Sequence, residues 1–215
     1  MTKDFPHELL EDSRELSTYN GWSEEVYRDF LAVQQGTLAP EDFSQRYKRR
    51  HAILVLDMTG FTASAMHVGE IESLLRILDA QKVCIPALKD FGASLIRCFA
   101  DDMIALFDDP NAAIDAAFEL LQRIELFNKS AVASDHPTRC SVGIGYGEVF
   151  TIGPNRAQGD EMNRTSKLGE DIARASETLL TERAYLALKD RTDIVFSLQN
   201  SDDQLFSYYR AALLT

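Results

Sequence analysis

Cysteine, histidine, tryptophan and positive charge are all scarce here: three Cys, four His, one Trp, and 22 basic against 34 acidic side chains in 215 residues. Cys84, Cys98 and Cys140 are odd in number, lie in apolar surroundings and lack CxxC spacing, so they read as reduced core thiols rather than zinc ligands. His7, His51, His67 and His136 have no metal-ligand spacing and no nucleophile beside them, and read as structural or surface residues. A net charge of −12 argues against broad electrostatic binding to nucleic acid or to an anionic membrane, and an anionic substrate would need a locally positive pocket. No apolar run approaches the roughly 18 residues of a membrane span. The opening Met-Thr-Lys-Asp-Phe-Pro-His-Glu lacks the apolar stretch of a signal peptide, so the expected address is the cytosol. There is no Walker sequence, internal repeat or low-complexity tract.

What remains is 45% hydrophobic content, enough for one well-buried α/β domain with a small appendage. Residues 1–46 read as an acidic helical extension, with Trp22, Val26, Tyr27, Phe30 and Leu31 at helical spacing. The basic run 46–50 leads into a strand over 52–56, as a solvated strand entrance or as a device for steering phosphate. A long amphipathic helix follows, with Ile71, Leu74, Leu75, Ile77, Leu78 and Val83 on its apolar side. Then come a hairpin around Asp101, a helix opened by Pro110 and running to about Asn128, a strand over 140–146 and a loop over 153–159. A helix over 160–176, a strand near Thr178, a helix over 182–188 and a final hairpin complete the pattern. Gly143-Ile144-Gly145-Tyr146-Gly147 imitates a phosphate loop, but it lies within a strand and no helix follows it, so it reads as tight packing against a neighbour.

Two acids stand out. Asp57 ends the apolar run Leu54-Val55-Leu56 and is followed by Met58-Thr59-Gly60; Asp101 sits in Phe99-Ala100-Asp101-Asp102-Met103, between two apolar strands, as the acid of a hairpin tip. Carboxylates brought together this way suit a divalent ion, magnesium above all, held against a phosphate chain.

Four segments in this order resemble the catalytic domain of class III nucleotide cyclases, the adenylate and guanylate cyclase family. They are Asp57-Met58-Thr59-Gly60-Phe61-Thr62, Ala100-Asp101, the strand from Val142 through Gly145 and Gly147 to Val149, and Gly159-Asp160-Glu161-Met162-Asn163. The resemblance implies an α/β (α+β), ferredoxin-like catalytic domain over 47–215 behind the N-terminal helical extension. It further implies a head-to-tail homodimer with shared active sites and two Mg2+ or Mn2+ ions per site. Asp57 and Asp101 would bind the metals with Met58 alongside; Gly60, Phe61 and Thr62 would cradle the nucleoside triphosphate; Asn163 would orient the ribose, and Lys167 falls where the family has a transition-state arginine.

Departures from the pattern bear on the substrate. Arg97 occupies the family's adenine-reading lysine position, and Arg156 the partner position where purine cyclases usually have Asp, Thr or Cys. Arginine has donors and no acceptor, so this pair suits the O2 and O4 acceptors of uracil better than the amino group of adenine. Ser141 stands at the family's phosphate-binding arginine, with Gln199-Asn200 near its later lysine; Arg139, two positions before Ser141, is the candidate substitute. A soluble cyclase with altered base-reading positions also resembles the pyrimidine cyclases of bacterial anti-phage defence (Pycsar), which make cyclic UMP or cyclic CMP. The expected function is UTP cyclisation, with cyclic AMP synthesis as the alternative and a non-catalytic nucleotide-binding or dimerisation module as the rival from another class.

Overall fold

Strand β1 occupies Lys48–Met58, longer than the predicted 52–56 because the basic residues 48–50 continue the extended backbone. The computed structural model describes residues 7–19, 21–61, 65, 68–130, 137–153, 157–199 and 206–214. After β1 come helix α4 (Glu70–Asp90), strands β2 (Leu95–Phe99) and β3 (Asp102–Phe107), helix α5 (Pro110–Asn128) and strand β4 (Cys140–Thr151). The order β2-β3-β1-β4, with β3 antiparallel to both of its neighbours, is the ferredoxin-like βαββαβ arrangement. Helix α5 begins where predicted: the Asp109 carboxylate accepts from the Asn111 N–H at 2.9 Å, and Pro110 takes the first position, where a missing N–H costs nothing.

The sheet continues through β6 (Thr178–Thr181), parallel to β4, then β8 (Tyr208–Leu213) and β7 (Ile194–Gln199), both antiparallel. A two-residue strand β5 (Ala157–Gln158) pairs with the end of β4 inside the predicted loop. Among the described residues this makes an eight-stranded sheet. Helices α6 (Asp160–Ser166) and α7 (Glu182–Leu188) complete this region. No helix among the described residues is long and apolar enough to cross a membrane.

One sheet face is the core. Leu54, Leu56 and Met58 of β1, Met103, Ala105 and Phe107 of β3, and Val142 and Ile144 of β4 pack with α4, α5 and α7, each large side chain contributing about 1.5–3 kcal/mol of burial. Cys84 and Cys140 are buried here and Cys98 packs against this cluster; burial pushes the Cys84 thiol up to about 12, which suits inert core residues. Helix α4 departs from expectation. It buries Ser73, Arg76, Ala80, Cys84, Ala87 and Leu88, and leaves Ile71 and Leu74 71% and 60% exposed, with Leu75 and Leu78 also exposed. Of the predicted apolar side, Ile77 and Val83 do pack against the core; apolar residues occupy both helix faces, so periodicity alone drew the stripe only partly right.

On the opposite face, α6 and a π-helical turn over Lys167–Ile172 lie against the glycines of β4. A Cβ at Gly143 would collide with the Thr165 carbonyl and meet the Gly169 nitrogen at 2.7 Å; one at Gly145 would collide with the Thr165 hydroxyl. The glycine run is therefore a seat for a helix, as read from the sequence.

The chain divides into two compact units, Arg50–Val149 with Gly159–Thr215, and Met1–Arg49 with Phe150–Gln158. The second gathers α1 (Ser13–Tyr19), α2 (Glu24–Gln34) and α3 (Pro40–Tyr47), where Val26, Phe43 and Ile152 form a small core edged by Trp22, Phe30 and Phe150. Part of the basic run serves structure in this unit: Arg46 and Tyr47 both bond the buried Asp29 carboxylate at 2.9 Å.

Gly143→Ala is expected to cost about 1–3 kcal/mol in urea unfolding, because a backbone carbonyl rather than a flexible side chain must give way. A loss below about 0.5 kcal/mol, the scale of an ordinary surface change, would contradict this packing.

Candidate functional site

Strand parity places the acids. Leu56 of β1 stands opposite Met103 of β3, so the next pair along is Asp57 with Asp102. Leu56, Met58 and Met103 enter the core, and alternation turns Asp57 and Asp102 to the opposite face. On β2, Cys98 lies opposite Met103 and packs on the core, so Arg97 shares the face of the acids; a slip of one residue would have exchanged the two. Ala100 and Asp101 form the hairpin tip, with Ala100 held at φ +50° in a left-handed conformation. The guanidinium of Arg97 lies 5.4 Å from the centre of the exposed Phe99 ring.

The acids repel one another. Burial lifts the Asp57 carboxyl up to about 7, helped by a hydrogen bond with Asp102 and by the negative charges of Asp102, Asp101 and Glu170. Asp102 is raised as well, by burial first and then by Asp101, against opposing effects of the Asp57 hydrogen bond and the Arg97 charge. Glu170, on the π-helical turn, is raised by burial of its carboxyl and by Asp102 and Asp171. Asp102 and Glu170 were both missed in the sequence. Asp102 carried a signal in the doubled Asp101-Asp102, whereas Glu170 had none, because only the folded helix brings it near.

The turn after Asp57 is built for a close backbone. Gly60 has φ +71°, a conformation that glycine adopts without strain, and a Cβ there would meet open space. Phe61 packs against the core. The Thr59 N–H donates to the Arg139 carbonyl at 2.8 Å, which brings the exposed Arg139 beside this turn. Ser141 is buried 3.1 Å from the Thr59 hydroxyl and donates to the Gly169 carbonyl at 3.1 Å, so it ties the turn to the π-helical segment. Thr62, Arg156 and Asn200 lie outside the described residues, as do His67 and His136.

Asn163 and Lys167 are exposed, four positions apart in the middle of α6 and at the start of the π-helical turn. The predicted continuous helix over 160–176 is instead seven α-helical residues and six π-helical ones. Gly169 is the reason: a Cβ there would stand 2.7 Å from the Val55 carbonyl, so the wider turn settles directly on β1 and β4. The Lys167 ammonium pairs with Asp171 at 2.6 Å on the surface, a pair worth about 0–1 kcal/mol and readily exchanged for another anion. Among the described residues, Lys167 pairs with Asp171, and neither Asn163 nor Lys167 forms a hydrogen bond or ion pair with Asp57, Asp101 or Asp102 of its own chain.

The donor set can be tested against a metal. Among the described residues no group of three or more His, Cys, Asp or Glu gathers so as to hold a metal ion by itself. An open site of carboxylates whose mutual repulsion calls for a cation, beside a backbone turn, suits magnesium or manganese, which keep waters and take substrate phosphates as ligands. The residues fit.

Because folding raises the Asp57 pKa from 3.8 to about 7, the carboxylate opposes folding above that upper value and the cost fades as the pH falls toward 3.8. Without divalent ions, Asp57→Asn is expected to stabilise the chain at pH 8 by about 1–2 kcal/mol after allowance for solvent screening at a half-exposed group, and by nothing measurable at pH 4. Denaturant unfolding at the two pH values checks this; a gain independent of pH would contradict the crowding of the acids.

No protein-family model matches the chain. Over 103 residues it is 33% identical to an adenylate cyclase of Anabaena cylindrica, a match covering 45% of this chain and 20% of that protein, so the chain spans a fifth of that relative's length. Among solved structures, the adenylyl cyclase CyaB from P. aeruginosa superposes with a TM-score of 0.65 at 18% identity, covering 78% of this chain and 97% of that one. The adenylate/guanylate cyclase/hydrolase from Silicibacter pomeroyi gives 0.62 at 21%, covering 78% and 98%. The guanylate cyclase domain of RhGC from Catenaria anguillulae, solved in complex with GTP, gives 0.65 at 13%, covering 78% and 99%. The chain carries the fold of the class III nucleotide cyclase catalytic domain, the fold that these adenylyl and guanylyl cyclase structures share.

Proposed function

We propose that the chain is a nucleotide cyclase that converts a nucleoside triphosphate into a 3′,5′-cyclic nucleotide and pyrophosphate. The observation that carries this reading is the acid cluster: Asp57 and Asp102 share with Arg97 the sheet face opposite the core, next to Asp101 at the hairpin tip, and burial together with the neighbouring acids raises the Asp57 carboxyl. Mg2+ or Mn2+, two ions per site, would be held by Asp57, Asp101 and the Met58 backbone, supplying Lewis-acid activation of the ribose 3′-hydroxyl and neutralisation of the triphosphate.

The remaining roles belong to the chain itself. The backbone at Gly60 and Phe61, with Thr62, cradles the phosphates, and Arg139, beside that turn, adds positive charge at the triphosphate end. Asn163 orients the ribose. Lys167 leaves Asp171 for the charge that develops at the α-phosphate, as a point charge rather than the planar fork of an arginine. Each site would take its two halves from two copies of a homodimer, a reading supported by the lack, among the described residues, of any hydrogen bond or ion pair between Asn163 or Lys167 and Asp57, Asp101 or Asp102 of the same chain. The catalytic domain is 47–215, and 1–46 is its helical extension.

For the base, Arg97 and Arg156 favour UTP, which would make this a pyrimidine cyclase of the anti-phage signalling kind, working in the cytosol. Support comes from Arg97 standing on the face of the acids and from the donor count of arginine. A second reading, cyclic AMP synthesis, is favoured by the name of the Anabaena relative.

Incubation with Mg2+ or Mn2+ and each of the four nucleoside triphosphates is expected to give cyclic product and pyrophosphate, UTP being used best. Asp57→Asn and Asp101→Asn should each lower turnover about 100-fold or more, the scale of losing one preorganised electrostatic contact to a transition state. Product from none of the four would leave a non-catalytic binding module, and preference for ATP would overturn the pyrimidine assignment alone. Arg97→Lys should shift the UTP-to-ATP ratio about tenfold, the size of one mispaired polar group; an unchanged ratio would remove Arg97 from base reading.

A further inference from the structure

Helix α6 buries Met162 and Thr165, the latter against the glycines of β4, but its first turn has little local support. It is seven residues long, its N-cap is Gly159 at φ +143° with no side-chain cap, and a single short segment of this kind is marginal in water. Yet it carries Asn163 and leads into Lys167, two side chains that must reach a bound nucleotide at fixed height and rotation.

Glu161 adds directed bonds at that first turn. Its side chain is 1% exposed, and its carboxylate gathers donors from three other elements. Oε1 accepts from the Tyr146 backbone N–H of β4 at 3.1 Å and from the Thr181 hydroxyl at the end of β6; Oε2 accepts from Arg183 Nη1 of α7 at 3.2 Å. The Thr181 hydroxyl also accepts the Ala184 N–H at 3.2 Å, so its proton is left for Glu161 and the cap of α7 belongs to the same network. Room for the acid comes from β4: a Cβ at Gly147 would press on the Glu161 Cβ and Cγ at 3.2 and 3.1 Å. An apolar side chain would fill the same space without fixing rotation, whereas three directed bonds to one carboxylate fix both height and angle.

We propose that Glu161 is a positioning residue, which clamps the first turn of α6 to β4, β6 and α7 so that Asn163 and Lys167 are presented to the nucleotide in one orientation. The assignment rests on the cyclase reading for the task of that face. It reaches beyond that reading in naming a buried acid that touches neither metal nor substrate and yet controls turnover.

The test uses Glu161→Gln, which keeps one acceptor oxygen but sets an NH2 among the donors, and Thr181→Val as a milder cut of the same network. Steady-state kinetics, Mn2+ affinity by electron paramagnetic resonance, circular dichroism and amide hydrogen exchange over residues 160–168 are measured on the full chain. For Glu161→Gln, kcat is expected to fall about 10–100-fold, since a misplacement near 1 Å costs about that much. KM and Mn2+ affinity should stay within about threefold, the protein should remain folded, and amides 160–168 should exchange about tenfold faster. Thr181→Val should show the same pattern, weaker. Unchanged kcat, or unchanged exchange over 160–168, would overturn the proposal, as would a kcat loss that merely follows the fraction unfolded. If the unsubstituted chain turns over none of the four triphosphates, the cyclase reading fails, and the exchange measurement still decides whether Glu161 holds the helix.

Discussion

Everything at this site depends on the two-residue period of the β-strand. Burying Leu54, Leu56 and Met58 under α4 and α5 compels Val55 and Asp57 to the other face, and pairing with β3 brings Asp102 there as well. The apolar residues thus pay for the placement of the acids. Asp57 need not be stabilised where it stands; with its pKa raised to about 7 it opposes folding at neutral pH, and a large core sustains it. A site that stores repulsion in this way is suited to a cation and a phosphate chain.

The same period organises the other half. Gly143, Gly145 and Gly147 fall on the face of the acids, and their missing side chains let α6 and the π-helical turn approach the backbone of β4. Gly169 then rests on the Val55 carbonyl, two residues before Asp57. One strand therefore carries an acid and supports the helical segment that bears Lys167, although among the described residues no hydrogen bond or ion pair joins Lys167 to Asp57. Ser141, which replaces a phosphate-binding arginine of the family pattern, joins the turn after Asp57 to Gly169. Here Ser141 makes an internal tie, and Arg139 is exposed beside the same turn.

Much of this was legible because local signals agreed with the global fold. Pro110 announced α5, the acid after Leu56 announced the end of β1, and the glycine run announced tight packing. Where signals conflicted, reading failed. Helix α4 has apolar residues on both sides, and the buried face proved to be the one with Ser73 and Arg76, because alanines and Cys84 allow the close approach that Leu74 and Leu78 would block. The π-helical turn is set by contact between Gly169 and the sheet, which no local pattern contains. Asp102 was not singled out beside Asp101 because only the hairpin register shows that it stands opposite Asp57.

The central claim is that the acid half and the Asn163–Lys167 half come from different copies of the chain. Mixing two inactive variants, Asp57→Asn and Asn163→Ala, tests it most directly. Random exchange of subunits would put one intact site in each mixed dimer, so activity should return to about a quarter of that of the unsubstituted protein. A mixture as inactive as its components, with subunit exchange demonstrated by differential labelling, would contradict the account.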